Sequence, residues 1–189
     1  MIYHRRSIRL KGFDYSNNGY YFVTICIWKR LNILGKIENN EIILNDFGKL
    51  VFKIWNDIPK NNFGIKIDEF CVMPNHVHGI LIINRRGVIH HALNKNNEIN
   101  QGAINCAPTL GQIIRCFKSR CTYEINKINK TMGLKIWQRN YYERIIRNEK
   151  EYLKIKEYIK NNPKMWNRDR NNILKKIEMA ENNTTPKGS

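Results

Sequence analysis

Apolar residues that crowd or alternate mark strands, and apolar residues that recur every three to four positions mark helices. Tyr20 to Trp28 (YYFVTICIW) is dense in aromatic and β-branched side chains and reads as a central strand. Gly35 to Leu44 predicts a hairpin that turns at Glu38-Asn39-Asn40-Glu41. Phe47, Leu50, Val51, Ile54, Trp55 and Ile58 fall at offsets 0, 3, 4, 7, 8 and 11, the stripe of an amphipathic helix that Asn45 can cap and Pro59 stops. Ile65 to Met73 and His76 to Ile83 are two further strands, joined so tightly at Pro74-Asn75 that they predict an antiparallel pair. Arg85 to Pro108 has little periodicity and reads as a flexible excursion. Thr109 can cap a second helix with Leu110, Ile113, Ile114, Phe117, Cys121, Ile125 and Ile128 along one side. Glu149 to Asn162 is a third helical pattern, with Tyr152, Ile155 and Ile159 in its stripe and Pro163 ending it.

Length and charge refine this outline. The 189 residues fit one domain with a real core, which we place at 20–166 between a basic arm, 1–19, and a polar basic tail, 167–189. Lys plus Arg is 33 against 16 acids, a net charge of +17 that points to a polyanion, nucleic acid before membrane. From Ile113 to Lys150, ten basic residues face three acids and are interleaved with Tyr123, Trp137, Tyr141 and Tyr142. Basic charge tracks a phosphate backbone and aromatic faces stack on unpaired bases, so the mixture suits single-stranded or distorted nucleic acid. The candidate contacts are Arg5, Arg6, Arg9, Arg115, Lys118, Arg120, Trp137, Arg139, Arg144, Arg147 and Lys154. Cys26, Cys71, Cys106, Cys116 and Cys121 are odd in number and contain no Cys-x-x-Cys pair, so neither a disulfide framework nor a zinc ribbon is indicated. No apolar stretch reaches the ~18 residues of a membrane span, and a cytoplasmic protein is expected.

The candidate chemistry lies in Met73-Pro74-Asn75-His76-Val77-His78-Gly79. Residues i and i+2 of a strand share a face, so His76 and His78 would stand side by side as a metal clamp while Val77 anchors the strand from the other side. On the third helix Tyr158 shares a face with Lys154 and Asn162, one turn away on either side. A tyrosine hydroxyl titrates near ~10, so as a nucleophile it needs an electrophile already polarised by a metal or by basic neighbours. In isolation Tyr158 reads as a core-edge tyrosine, and Tyr123, Tyr141, Tyr142 and Tyr152 compete with it.

The His-Val-His run, followed by Ile136-Trp137-Gln138-Arg139-Asn140-Tyr141-Tyr142 and then Tyr158-Ile159-Lys160-Asn161-Asn162-Pro163, resembles the single-tyrosine HUH transposases. Within them it is most similar to the REP-associated tyrosine transposases, which also tend to begin with a basic segment like His4-Arg5-Arg6-Ser7-Ile8-Arg9-Leu10. The resemblance implies an α+β, ferredoxin-like fold, an antiparallel sheet with helices packed on one face, here with basic N- and C-terminal extensions. It implies that His76 and His78 bind Mg²⁺ or Mn²⁺, and that Tyr158 attacks a DNA phosphate to leave a 5′-phosphotyrosine and a free 3′-hydroxyl. Asn162 falls where insertion-sequence relatives place a glutamine as third metal ligand, and its shorter side chain is the form of the REP-associated branch. The implied activity is a metal-dependent transposase acting on single-stranded DNA at hairpin-associated sites, as a monomer or a homodimer. The absence of any Gly-x-x-x-x-Gly-Lys loop agrees with an ATP-independent reaction. The rival readings are a nucleic-acid-binding repressor or RNA-binding module that never cuts, and a phosphoesterase in which water attacks.

Overall fold

The structure, a computed structural model, describes residues 18–84 and 108–172. The expected arm with Arg5, Arg6 and Arg9, nearly all of the expected excursion, and the tail beyond residue 172 lie outside the described residues. Strand β1 (Gly19–Cys26) runs into a single 3-10 turn at Trp28–Arg30, followed by the hairpin β2 (Gly35–Glu38) and β3 (Glu41–Leu44). Asn39 and Asn40 turn this hairpin with φ of 50° and 65°, the left-handed pair that a two-residue loop requires and that asparagine tolerates. Helix α1 (Asp46–Asn56) starts under the Asn45 cap, whose side chain accepts from Gly48 N. Pro59 sits inside a separate short turn, α2 (Ile58–Asn61), so α1 already ends ahead of the expected stop. Strands β4 (Ile65–Met73) and β5 (His76–Ile83) pair antiparallel across Pro74-Asn75, with a bulge between Ile67 and Phe70. Thr109 and Gln112 form a capping box at the head of α3 (Leu110–Ile128), and β6 (Tyr142–Ile146) and α4 (Glu149–Asn161) follow.

The sheet order is β4-β5-β1-β6 and all its pairs are antiparallel. With α1 between β1 and β4 and α3 between β5 and β6, this is the split β-α-β arrangement of a ferredoxin-like domain. One sheet face carries Tyr21, Val23, Ile25, Val77 and Leu81 against Trp55 of α1 and Phe117 of α3, the main core. The opposite face is covered by α4, where Ile159 meets Phe22, Ile80 and Ile146 in a smaller apolar cluster. Helix α4 thus adds a third layer to the expected one-sided packing. The β4 bulge turns two consecutive carboxylates toward it: Asp68 bonds Tyr152 and Lys156, and Glu69 lies 3.4 Å from Lys160. Those contacts fix the rotation of the helix that carries Tyr158.

Candidate active site

Alternation along β5 places Val77 in the main core and sends His76 and His78 to the α4 face, where both are buried. Their ring centroids are 4.4 Å apart. Asn75 donates through Nδ2 to the carbonyls of Arg30 and Asn171, at 3.0 and 2.9 Å, which leaves its Oδ1 as an acceptor facing Nδ1 of His76 at 2.8 Å. His76 Nδ1–H therefore donates, and Nε2 is left with a free lone pair. His78 Nδ1 lies 2.8 Å from the Thr24 hydroxyl on β1. Both rings are thus held through Nδ1 with Nε2 directed inward, the arrangement by which outer partners orient metal-binding imidazoles.

The inner atoms show what the site can hold. Burial first, then the cationic Arg30 and Arg170, push His76 down to about 3, and burial with the neighbouring His76 holds His78 well below the ordinary imidazole value. Both are neutral at physiological pH. Asp169 Oδ2 lies 3.6 Å from His76 Nε2, and both atoms are buried without a hydrogen-bond partner. A carboxylate facing a neutral imidazole lone pair is two acceptors in opposition, a costly contact that a cation between them relieves. His76, His78 and Asp169 offer ligand atoms within 4.8 Å of one another, a nitrogen and oxygen donor set that fits a divalent ion such as Mn²⁺ or Mg²⁺. Asn162, the C-cap of α4, is buried with its Oδ1 also unpartnered.

Tyr158 completes the cluster. Its hydroxyl lies 3.1 Å from His78 Nε2, and its ring meets Phe22 edge-on with centroids 6.1 Å apart. Burial, followed by the Asp169 carboxylate, raises its hydroxyl above the ordinary tyrosine value, so the oxygen needs cationic help to ionise. Tyr158 lines a cleft of about 880 Å³ in which Arg144, Lys154, Lys164, Arg168 and Arg170 outnumber the acids Glu157 and Asp169, with Arg144 also paired to Glu151.

Several expected positions are brought to this cleft and others are not. Tyr158, His78, Asn162, Arg144 and Lys154 line it together. Trp137 requires correction: it was expected to stack on bases, yet it is buried in the main core against Phe117 and bridges to Ile27. Lys118 donates to the carbonyls of Gln138 and Arg139 and so ties down a loop. Arg115 and Arg120 extend from α3, on the layer opposite Tyr158, with Arg120 near Asp57 at 3.4 Å. Arg139 is exposed, and Arg147 borders a separate hollow beside Tyr20 and Tyr152. Asp169 escaped sequence reasoning because it falls beyond the expected boundary at residue 166 and is brought to the histidines by contacts that no local spacing announces. Its segment is fastened by Asn171, which accepts from Arg30, and by Asn75, which donates to the Asn171 carbonyl.

No protein-family model matches the chain. Over 174 residues it is 43% identical to an uncharacterized protein of Haemophilus influenzae, covering 89% of this chain and 93% of that one. The two chains belong to one family. Among solved structures, the chain is similar to a REP-associated tyrosine transposase bound to a REP hairpin, with TM-score 0.49 and 21% identity over 86% of this chain and 73% of that chain. It is also similar to a candidate transposase of Deinococcus radiodurans, with TM-score 0.39 and 19% identity over 81% and 95% of the two chains. The motif resemblance of this chain is to the single-tyrosine HUH transposases. No helix among the described residues is long and apolar enough to cross a membrane.

Proposed function

We propose that the protein is a metal-dependent DNA strand transferase of the single-tyrosine HUH kind, which cleaves and rejoins single-stranded DNA at hairpin-associated sites through Tyr158. The observation that carries this reading is the Tyr158 hydroxyl at 3.1 Å from His78 Nε2, beside the His76 and Asp169 acceptor pair, at the floor of a cationic cleft. A divalent ion bound by His76, His78 and Asp169, with Asn162 as a further oxygen donor, would draw charge from a non-bridging phosphate oxygen.

The chain's own residues supply the rest. Arg144, Lys154, Arg168 and Arg170 hold the phosphates of the incoming strand. Phe22 and His78 fix the Tyr158 ring, so that its oxygen and the phosphorus meet without a search. The tyrosine oxygen gives up its proton and bonds to phosphorus as the bond to the 3′-oxygen breaks, and the departing 3′-oxygen takes up a proton, leaving a 5′-phosphotyrosine and a free 3′-hydroxyl. The new ester conserves the phosphodiester energy, so a second 3′-hydroxyl can displace the tyrosine and join strands without ATP. Within the chain Tyr158 already reaches His78 at 3.1 Å and the ligand atoms of His76, His78 and Asp169 lie within 4.8 Å of one another, and we infer that one copy assembles a complete site.

The test is to incubate the protein with Mn²⁺ or Mg²⁺ and labelled single-stranded DNA taken from the hairpin-forming flanks of its own gene. Strand transfer predicts a free 3′-hydroxyl fragment, with the other fragment retained on protein after denaturation. Release of a free 5′-phosphate fragment would instead assign a water-attacking phosphoesterase, and salt-sensitive binding without cleavage would assign a binding module.

A further inference from the structure

The turn before β2 contains two consecutive non-glycine residues in left-handed backbone, Lys29 at φ 52° and Arg30 at φ 54°. Such a pair persists only where surrounding contacts over-determine it. The contacts here converge on Arg30. Its carbonyl accepts from Asn75 Nδ2 at 3.0 Å, and its guanidinium donates to the Asn171 side chain and to the Arg170 carbonyl at 3.3 Å. Asn75 in turn donates to the Asn171 carbonyl at 2.9 Å. Asn171 and Asn172 are buried, and the backbone N–H of Asn171 donates back to Asp169 Oδ1 at 2.7 Å. That bond leaves Oδ2 as the oxygen that faces His76.

We propose that Arg30, through Asn171, is a positioning residue that latches the Asp169–Asn172 segment against the histidine pair, so that the divalent-ion site is complete only while this segment is docked. The left-handed turn aims the carbonyl of Arg30 at Asn75 and its guanidinium at Arg170 and Asn171. A single residue thereby sets both sides of the site: Asn75, which orients the His76 ring, and Asn171, which orients the Asp169 carboxylate. This rests on the metal reading given above and adds the residues on which that metal depends.

The test is Mn²⁺ binding by the full chain without DNA, read by isothermal titration or by loss of the free Mn²⁺ electron paramagnetic resonance signal. Arg30→Ala and Asn171→Ala should each weaken Mn²⁺ binding by about 10- to 100-fold, the range typical of outer-shell partners. In an Asp169→Ala background, Arg30→Ala should then add little, because alanine keeps the carbonyl that Asn75 binds and the lost guanidinium acts through the missing carboxylate. A merely structural Arg30 would weaken binding by the same factor in both backgrounds, which overturns the latch. Should Arg30→Ala fold poorly, Asn171→Ala, which keeps the turn intact, carries the same comparison with Asp169→Ala. Wild-type affinity in Arg30→Ala and Asn171→Ala overturns the latch while leaving the metal reading standing. Failure of the wild type to bind Mn²⁺ overturns both.

Discussion

The two faces of the four-stranded sheet are built from the same strands and put burial to opposite uses. Toward α1 and α3, Tyr21, Val23, Ile25, Val77 and Leu81 form a continuous apolar layer around Trp55 and Phe117. Toward α4, apolar packing is confined to the cluster around Phe22, Ile80, Ile146 and Ile159, and the same face carries Thr24, His76 and His78 with Tyr158 over them. Because strand side chains alternate, the register fixed by the apolar face also sets which residues stand in the site. A one-residue slip of β5 would place Val77 in the cleft and both imidazoles in the core. The stable face is thus the ruler for the reactive one.

Substitutions on the two faces should therefore separate stability from chemistry. The sharpest contrast pairs His78→Ala with Trp55→Ala. His78→Ala should lower strand cleavage by at least about 1,000-fold through loss of the ion's charge stabilisation, with most DNA affinity kept. Trp55→Ala should cost about 3–5 kcal/mol of unfolding free energy in urea titration. Severe unfolding of His78→Ala, or a chemically dead but stable Trp55→Ala, would erase the distinction between the faces.

Thr24→Val keeps the shape of the side chain and removes the hydroxyl beside His78 Nδ1. Mn²⁺ affinity or cleavage should drop by about 10- to 100-fold while stability changes by about 1 kcal/mol. Gly79→Ala tests the ruler itself, because a Cβ there would lie 2.3 Å from Trp55 Cζ2 and 3.1 Å from Phe70 Cβ. We expect a loss of about 1–3 kcal/mol in chemical denaturation from overpacking, although Gly79 directly follows His78 in sequence. Lys154→Ala should have the smallest effect, reducing the slope of log affinity against log salt by about 1 and leaving stability unchanged. An unchanged slope would remove Lys154 from the phosphate path.

Legibility followed the range of the interactions. The strand limits of β4 and β5, the Asn45 and Thr109 caps and the Ile155/Ile159 stripe rest on neighbours in sequence, and each was readable from spacing. Strand β6 was not, because only five residues long it carries Glu143 at a buried position and so breaks the apolar alternation. Trp137 misled because an aromatic between basic residues suits either a base platform or a core, and only its bridge to Ile27 decides. Asp169 and Asn171 were hidden for a different reason. Asn75 and Arg30 lie 96 and 141 residues from Asn171, His76 is similarly far from Asp169, and no periodicity reports contacts of that range.

The central claim is that Tyr158 is the nucleophile, and peptide mapping of a covalent adduct tests it most directly. Wild-type protein incubated with Mn²⁺ and 3′-labelled hairpin substrate should carry the label through a denaturing gel, and mass spectrometry should place the phosphodiester on Tyr158. Tyr158→Phe, which keeps the ring contacts with Phe22 and His78, should fold and bind DNA yet show no adduct. An adduct on Tyr141, Tyr142 or Tyr152, or one that persists in the Phe variant, would contradict the account.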